Sequence, residues 1–108
     1  MLKKGSVVVV HLVRPTEKLW GILEALDATG VVLRGISLSS FDDWMLQAGR
    51  EAKPSLGLGT TFIPLFRVER IFLDEQVGEV ESYSQRFERS VGLSVEEFLG
   101  LVPSEVPS

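Results

Sequence analysis

The residues able to do chemistry are few. His11 is the sole histidine of the chain. An imidazole acts as a general base when a nucleophile and an orienting partner stand beside it. Ser37, Ser39 and Ser40 supply hydroxyls, but no spacing ties any of them to His11. Asp42 and Asp43 are adjacent, and Glu51 follows. Paired carboxylates do acid–base work when their environments split their pKa values. Adjacent acids at the start of a helix equally serve its dipole. Gly57-Leu58-Gly59-Thr60-Thr61 is rich in glycine. A phosphate-cradling loop, however, needs a lysine before its Ser or Thr and then a helix. Here the glycines lead into a strand pattern.

Absences narrow the chemistry further. The chain has no Cys, which excludes disulfides, thiolate nucleophiles, zinc–cysteine centres and cysteine-held iron–sulfur clusters. One His cannot build a histidine-rich metal site. No catalytic residue, metal ligand or cofactor is therefore assigned, and the chain is read as noncatalytic. No apolar run approaches the ~20 residues that span a bilayer. The basic start Met1-Leu2-Lys3-Lys4 leads into Val7–Val10, but His11, Arg14, Glu17 and Lys18 then interrupt it. No secretion signal is read, and a cytoplasmic location is the default expectation.

The elements that would position these residues are mostly strands. Residues 7–13 are rich in β-branched side chains and read as a strand. Arg14-Pro15-Thr16-Glu17-Lys18 reads as a turn. Residues 19–26 and 31–36 form a hairpin across Asp27-Ala28-Thr29-Gly30. Gly21, inside a strand, marks a bend or a close backbone approach. Residues 60–65 and 68–73 supply two more strands, and Pro64 belongs at a strand end or edge. Five short strands within this stretch predict a small barrel, which removes exposed edges.

Residues 37–59 are an insertion. Ser40 followed by Asp43 predicts a helix start, with Phe41, Trp44, Met45 and Ala48 on one face and Gly49 as its end. The alternative extends the third strand through Phe41 with no helix. Lys53 to Gly59 reads as connector. The large apolar residues of the insertion need cover, either from their own barrel or from another subunit. Beyond residue 73 the period changes. Val80, Tyr83, Phe87 and Val91 recur at three and four, a helical stripe stopped by Gly92. Ser94 and Glu97 form a capping-box pattern ahead of a short helix over 95–99. Gly100, Pro103 and Pro107 end regular structure, leaving a frayed terminus. The whole chain, 1–108, is one domain: a barrel over 6–73 and a helical extension over 79–99.

The net charge of −4 is uneven: residues 1–73 balance to +2 and residues 74–108 to −6. An acidic surface opposes nonspecific nucleic-acid coating, which rests on many cation–phosphate contacts. No DNA partner is expected.

At this point certain residues resemble the Sm-like family, which includes the bacterial Hfq-type RNA-binding rings. The likeness covers about residues 6–73 and runs through Val8-Val9-Val10-His11-Leu12, Leu19-Trp20-Gly21-Ile22-Leu23-Glu24-Ala25-Leu26-Asp27 and Gly30-Val31-Val32-Leu33. A second segment is Thr61-Phe62-Ile63-Pro64-Leu65-Phe66-Arg67-Val68-Glu69-Arg70-Ile71. The resemblance implies a mainly β fold, a strongly bent five-stranded Sm-like or SH3-like small barrel, here with a C-terminal helical extension. It implies a homo-oligomer, usually a ring, in which the fourth strand of one subunit pairs with the fifth of the next; Phe62, Ile63, Val68 and Ile71 are the interface positions. It also implies single-stranded RNA contacts from the two turns, at Asp27, Thr29, Phe66 and Arg67. The sequence departs from the family pattern in lacking an asparagine after Asp27 and an arginine–glycine pair in the last turn. The leading expectation is a noncatalytic oligomeric scaffold or interaction module; the alternative is a single-stranded RNA-binding ring.

Overall fold

The computed structural model describes residues 2–50 and 57–101. The β-branched run forms β1 (Val7–Leu12), followed by β2 (Glu17–Leu26) and β3 (Gly30–Ser37). A 3-10 turn over Leu38–Ser40 runs straight into α1 (Phe41–Arg50). Next come β4 (Gly59–Pro64), a second 3-10 turn over Leu65–Arg67 and β5 (Val68–Leu73). The helices α2 (Tyr83–Val91) and α3 (Val95–Phe98) complete the fold. Every strand pairing is antiparallel, and the sheet order is β4-β3-β2-β1-β5.

That order places consecutive strands β4 and β5 at opposite edges. In a flat sheet, four strand spacings of about 4.8 Å would separate them by about 19 Å. A three-residue 3-10 turn covers only about 6 Å. The sheet must therefore curl strongly. The bend is accommodated where Gly21 of β2 faces Gly35 of β3. A Cβ on Gly21 would lie 2.3 Å from the Arg34 carbonyl oxygen and 2.6 Å from the Gly35 Cα. Only hydrogen fits at that approach, as the glycine inside the strand pattern predicts. A register shift between Leu23 and Ala25 adds a second irregularity.

The curl does not become a barrel. No ladder joins β4 to β5, and the order ends on both as free edges. The expected Sm-like or SH3-like small barrel is thus corrected to an open five-stranded antiparallel sheet with a helical layer. The physical reason lies in what covers the sheet. A barrel buries its apolar faces by closing on itself. Here helices cover one face, and the curl of the strands shelters the other.

Two clusters result. In one, Val8, Val10, Leu12, Leu23, Val31, Leu33 and Ile63 pack within the curl. In the other, Val9, Trp20 and Ile22 from the sheet meet Phe41, Trp44, Met45 and Ala48 of α1, Phe87 of α2 and Val95 of α3. The insertion thus forms a helix, and its large apolar residues fold back on their own sheet, with Trp44 only 1 % exposed. Ser40 closes the 3-10 turn rather than capping α1, and Gly49 lies inside the helix. Asp42 and Asp43 occupy the first turn of α1 as expected.

α2 begins later than its apolar stripe. The Ser82 hydroxyl accepts from the Gln85 amide at 3.0 Å, and the Ser82 amide donates to Gln85 Oε1 at 2.7 Å. This reciprocal cap fixes the start at Tyr83. Val80 sits outside, bridged to Val77. Gly92 ends the helix with φ 89°, the left-handed conformation that glycine adopts without strain. Ser94 and Glu97 form the expected capping box on α3. The Glu51 candidate, the connector positions 53–56 and the terminal Pro103 and Pro107 lie outside the described residues.

Candidate functional site

The two turns expected to contact RNA do come together. The Leu65 amide donates to the Thr29 carbonyl oxygen at 3.1 Å, joining the β2–β3 turn to the turn after β4. Asp27 organises the first turn. Its Oδ1 accepts from the Thr29 hydroxyl at 2.6 Å, the Thr29 amide at 2.8 Å and the Gly30 amide at 3.3 Å. These bonds, the Thr29 hydroxyl foremost, hold the Asp27 pKa below its ordinary value. Phe66 projects from the same rim, 70 % exposed.

Arg67 points elsewhere. Its Nε donates to the Val13 carbonyl at 2.9 Å and its terminal nitrogen to the Pro15 carbonyl at 2.9 Å. The same nitrogen lies 3.3 Å from Glu17 Oε1. Arg67 therefore clamps the 13–17 turn onto the start of β5. Arg14 complements it by donating to the Phe66 carbonyl. Asp27, Thr29 and Phe66 share a rim, but the rim's arginine is occupied with the fold.

The expected interface positions divide in the same way. Ile63 is buried in the aliphatic cluster, and Val68 and Ile71 pack against it. Phe62 alone of the four projects outward, 55 % exposed. It pairs with Val32, opposite in the pleat to buried Val31 and Leu33. Phe72, opposite Val9, lies on the same helix-covered side of the sheet at the other edge. Beside Phe72 runs a groove of ≈ 620 Å³ whose apolar lining includes Ile71, Leu73, Val77 and Val80 and whose polar lining includes Asp74, Glu75 and Glu81. Val77 and Val80 are both largely exposed.

Asp74, at the end of β5, was not legible as a key residue. Its Oδ2 accepts from Trp20 Nε1 at 3.0 Å, the Ser84 amide at 2.8 Å and the Ser84 hydroxyl at 2.7 Å. Its Oδ1 accepts from the Tyr83 amide at 2.9 Å. One carboxylate thus ties the sheet's central indole to the N-terminus of α2.

The catalytic candidates stay apart. Asp42 pairs with Arg86 on α2. His11 meets the Phe72 ring edge-on at 4.6 Å, and no hydrogen bond among the described residues joins it to a serine or an acid. The Gly57–Thr61 loop runs into β4, not a helix. Among the described residues no three His, Asp or Glu side chains gather as a metal site, and no helix is long and apolar enough to cross a membrane.

Fold and site together define a curled, open antiparallel sheet with two unpaired edges and an aromatic helical cover. Comparison with family models, curated proteins and solved structures finds no match.

Proposed function

We propose that this chain is a noncatalytic interaction module that self-associates through its sheet edges. The observation that carries the reading is the pairing of opposites: β4 and β5 are both free edges, each with an exposed phenylalanine on the same side of the sheet. A free edge presents unpaired backbone donors and acceptors, and strand addition satisfies them. β4 of one copy would run antiparallel along β5 of the next, setting Phe62 of the first against the groove beside Phe72 of the second. Such contacts are head-to-tail, and they close into a ring when the rotation permits. The apolar part of the groove, with Leu73, Val77 and Val80, favours this occupant, because burial stabilises by roughly 25 cal/mol per Å² of apolar surface.

Sedimentation equilibrium at high micromolar concentration tests the proposal. A mass of several protomers is expected, and a monomer overturns it. Phe62→Glu places a charge on the edge and against a groove that Glu75 and Glu81 also line. It should dissociate the assembly while the circular dichroism stays that of the wild type. Single-stranded RNA binding at the Asp27–Thr29–Phe66 rim is the lesser reading, because Arg67, the cation it would use, is engaged by Val13, Pro15 and Glu17.

A further inference from the structure

Two cations that hold no part of the fold together lie on the face of the sheet. In register, His11 of β1 stands opposite Lys18 of β2 on one side and Arg70 of β5 on the other. Directly opposed residues share a face, so Lys18, His11 and Arg70 form one row across three strands. The outer two rise from positions about 10 Å apart, twice the strand spacing. The neighbouring row on this face, Trp20, Val9 and Phe72, lies under or beside the helical layer. The Lys18–His11–Arg70 row lies beyond that cover, with Lys18 and Arg70 exposed.

Among the described residues no ion pair engages the Lys18 ammonium. Arg70 Nε lies 3.3 Å from Glu69 Oε1, an exposed pair of little worth that leaves the terminal guanidinium nitrogens available. Phe72 holds the arrangement: the His11 ring sits edge-on to it at 4.6 Å, and the Arg70 guanidinium carbon lies 5.8 Å from its centroid. On its other side Lys18 lines a cleft of ≈ 550 Å³ with Thr16, Ser37 and Ser39. The Ser37 and Ser39 hydroxyl oxygens are 3.0 Å apart. Glu17 also lines this cleft, and its carboxylate is already met by Arg67.

We propose that the Lys18–His11–Arg70 row binds the phosphate of a small organic phosphate whose polar body lies in the cleft of Thr16, Ser37 and Ser39. Charge-assisted bonds from an ammonium and a guanidinium suit a phosphate's oxygens. A small ligand is favoured over a nucleic-acid strand because the chain as a whole carries −4, with the −6 balance of its last segment repelling a long polyanion. The site also carries its own reporter. Partial burial, then Lys18, then Arg70 lower the His11 pKa, and Glu69 opposes them. A bound anion reverses that balance and favours the imidazolium. Binding therefore raises the His11 pKa toward and above its ordinary value.

Because His11 is the only histidine, its ring resonances in proton NMR follow the site without assignment. The intact chain is titrated with inorganic pyrophosphate, with a nucleoside monophosphate and with a short single-stranded oligonucleotide. Each titration is matched to sodium chloride of equal ionic strength. Both small phosphates should give a saturable shift and a raised His11 pKa that chloride does not reproduce. The oligonucleotide should bind no more tightly than the monophosphate. Lys18→Gln and Arg70→Gln should each weaken binding about tenfold, and the double variant should weaken it further. Both cations are exposed, so the folded circular dichroism should survive. The proposal is overturned if chloride gives the same shift, if the double variant binds like the wild type, or if only the oligonucleotide binds.

Discussion

On one side of the sheet, aliphatic residues from four strands interlock within the curl, with Leu33, Val31, Val8 and Val10 fully buried. On the other, an aromatic cluster is assembled from the sheet and three helices. Trp44 sits at its centre, with ring centroids of Trp20, Phe41, Phe87 and Phe98 at 5.3, 6.0, 4.9 and 5.8 Å. The difference is one of construction. The aliphatic side needs only correct strand register, since the alternating faces then bury themselves. The aromatic side needs segments as distant in sequence as Val9 and Phe98 to dock on one surface. Large rings with offset and edge-on geometry suit that task, because each joins several elements at once.

The largest test of this contrast removes the central ring. Trp44→Ala should cost about 3–5 kcal/mol, and Leu33→Ala, on the aliphatic side, about 2–5 kcal/mol. The two should differ in kind more than in size. In Trp44→Ala, hydrogen exchange should speed first in α1, α2 and α3 while β1, β2 and β3 keep protection. In Leu33→Ala the strands themselves should lose protection. Equal loss of protection everywhere in both variants would make the two sides a single cooperative unit and break the comparison.

A smaller effect is expected where the aromatic side is pinned by polar contacts. Asp74 accepts from Trp20, Tyr83 and Ser84 at once. Asp74→Ala leaves the indole N–H and the α2 amides without their acceptor, a loss of about 1–3 kcal/mol. Urea denaturation should register it, and the Trp20 indole proton should lose its hydrogen-bonded shift. A wild-type midpoint would show that the hub carries no weight in docking α2.

How far the sequence revealed this follows the same division. The five strands, the Gly21 bend, the stop at Gly92 and the Ser94–Glu97 cap were legible, because each rests on a local rule of alternation or backbone conformation. Barrel closure was not, because it depends on whether β4 meets β5, a non-local choice that the helical cover decides. The fate of Phe41, Trp44 and Met45 stayed open between own sheet and partner for the same reason. Arg67 illustrates the limit at the candidate site. It follows Phe66 in the turn after β4, but its partners at Val13, Pro15 and Glu17 lie some fifty positions away in the chain. The Lys18–His11–Arg70 row was hidden because residues 7–13 are apolar almost throughout and show no face by alternation. Only the register of three strands places the cations together.

The smallest expected effect belongs to a second carboxylate, placed where the aliphatic side turns from β2 to β3. Asp27 is held below its ordinary pKa of 3.8, first by the Thr29 hydroxyl and then by the Thr29 and Gly30 amides. A depressed folded-state pKa means that the unfolded chain binds the proton more readily. The stability Asp27 lends is therefore complete above pH 3.8 and is lost as pH falls through the folded-state value. Asp27→Asn should melt below the wild type at neutral pH, and the two curves should converge in acid. Thr29→Ala removes the largest cause, so the Asp27 side-chain carbon should titrate closer to 3.8 in that variant. Because this carboxylate is exposed, where water screens its bonds, its effect should stay below that of Asp74. A larger effect at Asp27 than at Asp74 would reverse the contrast, making a surface turn rather than the docked helices the point on which the fold depends.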